Sequence, residues 1–287
     1  MTKRRIIKGT LIAVGGNEDK EANRNNRINF HSKGVLYHIL NEGRGKDSRV
    51  VVVPTASKIP EEVGKNYVRA FNQLGCKNVT VLNITRRNHA SSKETLGHLE
   101  QADCILFSGG NQSRIGVKIG GTEMHRILFE RFVNEPIVIA GTSAGAMAMS
   151  AEMISGGSSS EALQKGAVNM RKGLSLIPEL VIDTHFVRRG RFGRLAEAMA
   201  RFPHLVGLGL AEDTGVIIKN CNDFTVIGSG MVIVMDPSNL THNNYERLKP
   251  GTPMSMSNLT VHILANGDKF TLDNREIEVL PMTESFV

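Results

Sequence analysis

The chain has 287 residues, 40% hydrophobic and 22% charged, enough to bury a full core and ordinary for a globular protein. Its 35 basic and 28 acidic residues leave a net charge of +7, but they are interspersed, and with no Trp and three Tyr there is no obvious stacking surface, so nucleic acid is not an expected partner. No run approaches about 18 uninterrupted apolar residues, so no membrane partner is expected, and three scattered cysteines, Cys76, Cys104 and Cys221, without a CxxC pair fit reduced, buried thiols in a cytoplasmic protein.

The chain opens on "MTKRR", which reads as a frayed tail. Lys8 and Gly9 then interrupt the apolar run and no small-residue cleavage site follows, so the opening is a strand and not a signal peptide. "TLIAVGG" (10–16), "VVVVPTAS" (50–57), "VTVLNI" (79–84), "CILFSGG" (104–110) and "PIVIAGTS" (136–143) are short β-branched runs bounded by turn residues, the pattern of buried strands. Amphipathic helical stretches lie between them, such as 61–75 and 91–102. This alternation predicts an α/β fold: a doubly wound, mostly parallel sheet flanked by helices. After about residue 210 the pattern changes to "TGVIIKN", "DFTVIGSGMVIVMD", "LTVHILANGDKFTLD" and "REIEVLPM", which predict an antiparallel β-rich extension. The expected organisation is one α/β domain over 1–287, with 1–210 as the core carrying the site and 211–287 as the extension.

Ligands of open parallel sheets gather beyond the carboxyl ends of the strands. Three strands end there in glycine turns, "VGGNE", "SGGNQ" and "GTSAG". The last fits Gly-x-Ser-x-Gly, in which a strained strand-to-helix turn lifts a serine above the sheet and needs neighbours without bulk. Ser143 is the candidate nucleophile; the alternative is a tight turn with Ser143 as helix N-cap. Free N–H groups of Ala144, at the helix start, and of Gly110, in the turn after the preceding strand, are candidate oxyanion donors, with the amides of Asn111 and Gln112 beside them. "DTHFVRRGRFGRL" (183–195) supplies His185 as a candidate general base, surrounded by Asp183 and several arginines. A carboxylate should orient the imidazole, and Glu161, Asp183, Glu212 and Asp213 are all open by spacing.

Together, "GTSAGAMAMS", "SGGNQ" and "DTHFVRRGRFGRL", with "VGGNEDK" and "GLGLAEDTGVII", resemble the cyanophycinase family of serine peptidases, related to aspartyl dipeptidase (peptidase E), over most of residues 10–218. The resemblance implies hydrolysis of cyanophycin, a poly-aspartate backbone with arginines on its side-chain carboxyls, to β-aspartyl-arginine. It implies Ser143 as nucleophile, His185 as base and Glu161 in the third triad position. It also implies a substrate pocket built from Gln112, Asp183, Arg189, Arg191 and Arg194. For a substrate that carries both signs, the arginines would grip free carboxylates and Asp183 or another acid a guanidinium. The family needs no metal or other cofactor and is typically dimeric, so a homodimer is expected. Thr184 stands where the family commonly has Gln, which marks it as a position that adjusts substrate fit.

The rival of the same fold is an aspartyl or isoaspartyl dipeptidase. A glutamine amidotransferase is disfavoured because position 143 is serine and not cysteine. A non-catalytic binder of anionic polymer would survive loss of Ser143 and weaken steeply with salt. Dinucleotide binding is rejected, since "GSGMVI" (228–233) lacks the third glycine and leads into a strand.

Overall fold

Side chains of a strand alternate between its two faces, and the central strands of this protein bury both. Leu11, Ala13, Val51, Val53, Ile105, Phe107 and Ile139 enter one apolar core, while Ile12, Val14, Val50, Val52, Cys104, Leu106 and Val138 enter another. A run such as Val50–Val53, buried at every position, is what a sheet covered on both faces requires. The computed structural model describes residues 6–20, 29–157, 161–281, 283–285 and 287. The tail expected at 1–5 and the serines 158–160 lie outside the described residues.

In chain order the strands are β1 (Thr10–Val14), β2 (Val50–Val53), β3 (Val79–Val81), β4 (Cys104–Phe107), β5 (Val138–Thr142), β6 (Glu152–Gly157), β7 (Val168–Lys172), β8 (Leu180–Thr184) and β9 (Val206–Leu210). They continue with β10 (Thr214–Lys219), β11 (Asp223–Gly228), β12 (Val232–Asp236), β13 (His242–Asn243), β14 (Met256–Ser257), β15 (Thr260–Leu264), β16 (Lys269–Thr271) and β17 (Ile277–Glu278). The helices are α1 (Phe30–Lys33), α2 (Val35–Asn41), α3 (Pro60–Gln73), α4 (Lys93–Gln101), α5 (Gln112–Lys118), α6 (Glu123–Asn134), α7 (Ala144–Met147) and α8 (Phe192–Arg201).

A nine-stranded sheet runs β17-β16-β11-β10-β1-β5-β4-β2-β3. Its β1, β5, β4, β2 and β3 are parallel, as the alternating pattern predicts, and β10 adds antiparallel to β1, continuing the same sheet. A second sheet, β15-β12-β9-β8, packs its apolar residues into the larger core, and within it β8 and β9 are parallel. The stretch "DFTVIGSGMVIVMD" divides at Gly228, where φ is +93°, so that β11 joins the first sheet and β12 the second.

The helices follow local rules. Pro60 opens α3 at its first turn, where a missing N–H costs nothing, and Glu61 and Glu62 face the positive end of its dipole. The Ser92 hydroxyl caps α4 by accepting from the Thr95 N–H at 3.2 Å. Among the described residues no helix is long and apolar enough to cross a membrane, and Cys76, Cys104 and Cys221 are buried.

Candidate active site

β5 ends at Thr142, the chain turns at Ser143, and α7 begins at Ala144. Ser143 adopts φ +50°, ψ −111°, a conformation that costs a non-glycine residue about 1–3 kcal/mol and persists only where its surroundings enforce it. Bare neighbours allow the turn: a Cβ on Gly141 would stand 2.4 Å from the Gly145 carbonyl carbon, and one on Gly145 would stand 2.2 Å from the Phe107 carbonyl oxygen. The Ser143 N–H donates to the Val14 carbonyl at 2.9 Å, tying the turn to the end of β1. Its side chain makes no capping bond to α7, so the plain N-cap reading does not describe it. That hydroxyl lies 3.0 Å from His185 Nε2 instead.

His185 follows β8 directly, with φ +48°, and its N–H donates to the Gly15 carbonyl at 2.8 Å. Its Nδ1 lies 2.7 Å from Glu212 Oε1. The other Glu212 oxygen accepts from an Arg188 guanidinium N–H at 2.8 Å and from the Asn17 amide at 3.3 Å. Of the four carboxylates left open by spacing, Glu212 is the one on the imidazole. This corrects the expectation for Glu161. Both His185 nitrogens are occupied, by Ser143 and Glu212, while Glu161 is exposed in the connection from β6 to β7, beside the α8 contact of Ala162 with Gly193. The physical reason is strand pairing. Parallel β8 and β9 set Thr184 beside Leu210, so the residues just beyond, His185 and Glu212, meet across a separation in sequence that spacing does not reveal.

Electrostatics suit a base at neutral pH. Burial pushes the His185 pKa below its ordinary 6.5, and Arg189 and Arg191 push the same way, against the raising effect of Glu212. Burial alone would raise the Glu212 carboxyl, but hydrogen bonds from Arg188 and His185 hold it below the usual range. With His185 neutral, its Nδ1–H donates to Glu212 and its bare Nε2 accepts from the Ser143 hydroxyl.

The three glycine turns meet around this pair. Gly16, Gly109, Gly110 and Ser143 line one cleft of about 410 Å³ together with His185 and Arg189. Gly16 has φ +97°, and a Cβ there would stand 2.6 Å from His185 Nε2 and 3.1 Å from Ser143 Cβ. A Cβ on Gly109 would reach 3.3 Å from Ser143 Cβ, so the backbone of that turn abuts the serine. Ala144, as the first residue of α7, has an N–H with no partner within its own helix.

Among the pocket residues expected from the sequence, Arg189 lines the cleft; the rest have other duties. Asp183 is fully buried and its carboxylate is held at both oxygens by Arg194, at 2.6 Å to Oδ2 and 2.5 Å to Oδ1. Arg191 donates to Asp183 Oδ1 at 3.1 Å and to the Thr184 carbonyl at 2.6 Å; burial, followed by the nearby Arg194 and Arg189 charges, lowers its pKa to about 10 against the pull of Asp183. The expectation that Asp183 and Arg194 grip substrate is therefore corrected: buried charges must be paired, and these pair with each other. Thr184 is likewise fully buried, with its hydroxyl unpartnered, and offers no surface to a ligand. Asn111 caps α5 by accepting from the Ser113 N–H at 2.9 Å, and Gln112 donates to the Ile154 carbonyl at 2.7 Å.

The cleft also contains residues that the sequence did not single out: Glu18, Lys20, Asn66 and Tyr67. The signal for the first two was present, since "VGGNEDK" leaves the sheet at the same rim. Tyr67 lies on the buried face of α3, where periodicity reads only as core.

Comparison with known proteins places the chain in a family. The model of peptidase family S51 matches residues 11–226. A cyanophycinase from Trichormus variabilis is 33% identical over 270 residues, covering 94% of this chain and 88% of the relative. One from Geminocystis herdmanii is 31% identical over 267 residues, covering 93% and 95%. The crystal structure of a peptidase from an acI-B1 Actinobacterium superposes with a TM-score of 0.66 at 18% identity, covering 94% of this chain and 98% of that one, a likeness of fold.

Proposed function

Because the chain belongs to peptidase family S51, we propose that its Ser143-His185-Glu212 set hydrolyses cyanophycin to β-aspartyl-arginine dipeptides. The observation that carries the reading is the continuous contact from hydroxyl to imidazole to carboxylate, 3.0 Å and then 2.7 Å, with Ser143 and His185 lining the glycine-walled cleft.

In this scheme His185 Nε2 takes the hydroxyl proton as Ser143 Oγ attacks a backbone carbonyl carbon of the poly-aspartate chain. Negative charge moves to the carbonyl oxygen, where the N–H groups of Ala144 and Gly110 receive it. Glu212 keeps the imidazole in the required tautomer and stabilises the imidazolium that forms. The amide bond breaks as His185 returns the proton to the leaving nitrogen. Water, deprotonated by the same histidine, then releases the acyl group from Ser143. No metal takes part in this scheme. Arg189 supplies positive charge at the cleft wall, matched to a substrate rich in free carboxylates.

The test is incubation of the purified protein and its Ser143→Ala variant with cyanophycin, with released dipeptides identified by mass spectrometry. The expected result is β-aspartyl-arginine from the native protein and a loss of roughly 10⁵-fold in the variant. Equal release by both would remove Ser143 from the mechanism. Turnover of aspartyl or isoaspartyl dipeptides, with none of the polymer, would replace the substrate and leave the triad.

A further inference from the structure

The segment leaving β1 carries a buried charge network that this scheme does not use. Glu18 is only 5% exposed, yet both of its oxygens are engaged. Oε2 accepts from the Thr142 hydroxyl at 2.5 Å, and Oε1 accepts from the Tyr67 hydroxyl and pairs with Lys20 Nζ at 2.8 Å. Burial alone would raise the Glu18 carboxyl, but the Lys20 charge and the hydrogen bonds from Lys20, Thr142 and Tyr67 outweigh it and hold it low. Glu18 is therefore a saturated anion that binds the β1 exit, α3 and the residue before the nucleophile to one another.

Lys20 stands differently. Its side chain is 31% exposed, its Nζ lies 5.0 Å from the Tyr67 ring centroid, and it lines the same cleft as Ser143, His185 and Arg189. An ammonium has three donors; Glu18 takes two, at its carboxylate and at its backbone carbonyl 3.5 Å away, which leaves one for a ligand in the cleft. The pairing and the aromatic face also fix the long side chain in advance, which reduces the entropy lost when it meets a ligand. Among the described residues, the charges a ligand meets here are thus the donors of Lys20 and Arg189, because Glu18 has both oxygens committed within the wall. Such a cleft selects an anionic group. On the function proposed above, each repeat of the polymer presents one, the free α-carboxylate of its arginine.

Resting on that reading, we propose that Lys20 is a specificity-determining residue that receives the arginine α-carboxylate of the substrate. A short β-aspartyl-arginine oligomer, and the same oligomer built with argininamide so that those carboxylates become neutral, would be compared as substrates for the native protein, Lys20→Met and Lys20→Arg. The native protein should favour the acid. Lys20→Met should raise KM for the acid by about tenfold, the size of one charge-assisted hydrogen bond, with kcat within about threefold. The amide should be little affected, so the preference collapses, and Lys20→Arg should retain it. If Lys20→Met keeps the native preference, or loses kcat equally on both substrates, Lys20 acts only through Glu18 and Thr142 and the assignment is wrong. If the native protein cleaves neither oligomer nor cyanophycin, the polymer reading and this one fall together, whereas cleavage with an unchanged preference removes this one alone.

Discussion

The two polar regions that frame the active site use the same residue types to opposite ends. Along the β1 exit, Glu18 is buried and Lys20 reaches the cleft. From the end of β8 into the helix that follows, Asp183 is buried with Arg194, while Arg189 alone of the expected pocket residues there lines the cleft. Four arginines in seven residues (188–194) looked like a ligand grip, whereas a lone "EDK" did not. The difference teaches that charge density in sequence says little about where charge is offered. A desolvated carboxylate requires partners, and the nearest arginines are recruited to meet that need before any ligand arrives. What remains available is the surplus.

The largest test of this contrast concerns the two glutamates. Glu212→Gln should lower kcat by about 10³–10⁴-fold, because the imidazole loses the acceptor that fixes its tautomer. Glu161→Gln should leave kcat within about threefold, since its carboxylate is not on His185. Steady-state kinetics on the pair decides the matter: comparable losses in both, or a loss in Glu161→Gln alone, would refute Glu212 as the orienting group.

Next in size is Gly16→Ala. Its Cβ would press to 2.6 Å from His185 Nε2 at a φ of +97°, and a displacement of the ring by about 1 Å is worth roughly 10²-fold in kcat. The fold should persist with the same Tm to within a few degrees, so activity and melting separate. Parallel loss of both would mean that Gly16 serves the fold and not the site.

The ion pair behind the pocket predicts the reverse signature. Asp183→Ala leaves Arg194, only 5% exposed, without its carboxylate, at a cost of about 3–5 kcal/mol in stability. An apolar replacement of both partners, Asp183→Leu with Arg194→Met, should recover most of that stability in denaturant unfolding. If Asp183→Ala changes KM strongly with no loss of stability, the pair touches substrate after all.

The smallest effect is on pH dependence. In the proposed mechanism the base is neutral His185, whose pKa burial and the Arg189 and Arg191 charges hold below 6.5. The rate kcat/KM should therefore stay on a plateau as pH falls to 6.5 and decline only below it, as the imidazole takes up a proton. Removing the positive charge in Arg189→Gln removes one lowering influence, so the acid limb should move upward toward 6.5. A limb that stays fixed, or moves down, contradicts that coupling.

Much of the fold was legible because its signals are local. The five parallel strands and the helices α3 and α4 follow from β-branched runs bounded by turn residues and from the amphipathic stretches between them, and local caps such as Pro60 and Ser92 agree. The elbow at Ser143 was legible for the same reason, since the steric demand of the turn is written in Gly141, Ala144 and Gly145. Glu212 was not, because spacing left four carboxylates open and the resemblance favoured Glu161.

The sequence by itself determined the alternating α/β pattern, the three glycine turns that end strands on one rim, and the pairing of a serine with a histidine as chemistry. Each depends on neighbours within a few residues, where backbone sterics and side-chain periodicity act directly. Only the tertiary structure decided which carboxylate contacts His185, which arginines are consumed in the interior, and that Glu18 and Lys20 line the cleft. Those outcomes depend on contacts that range from 8 positions along the chain, between Arg191 and Asp183, to 124, between Glu18 and Thr142, set by strand order and by the cost of burying an unpaired charge, neither of which is encoded in local spacing.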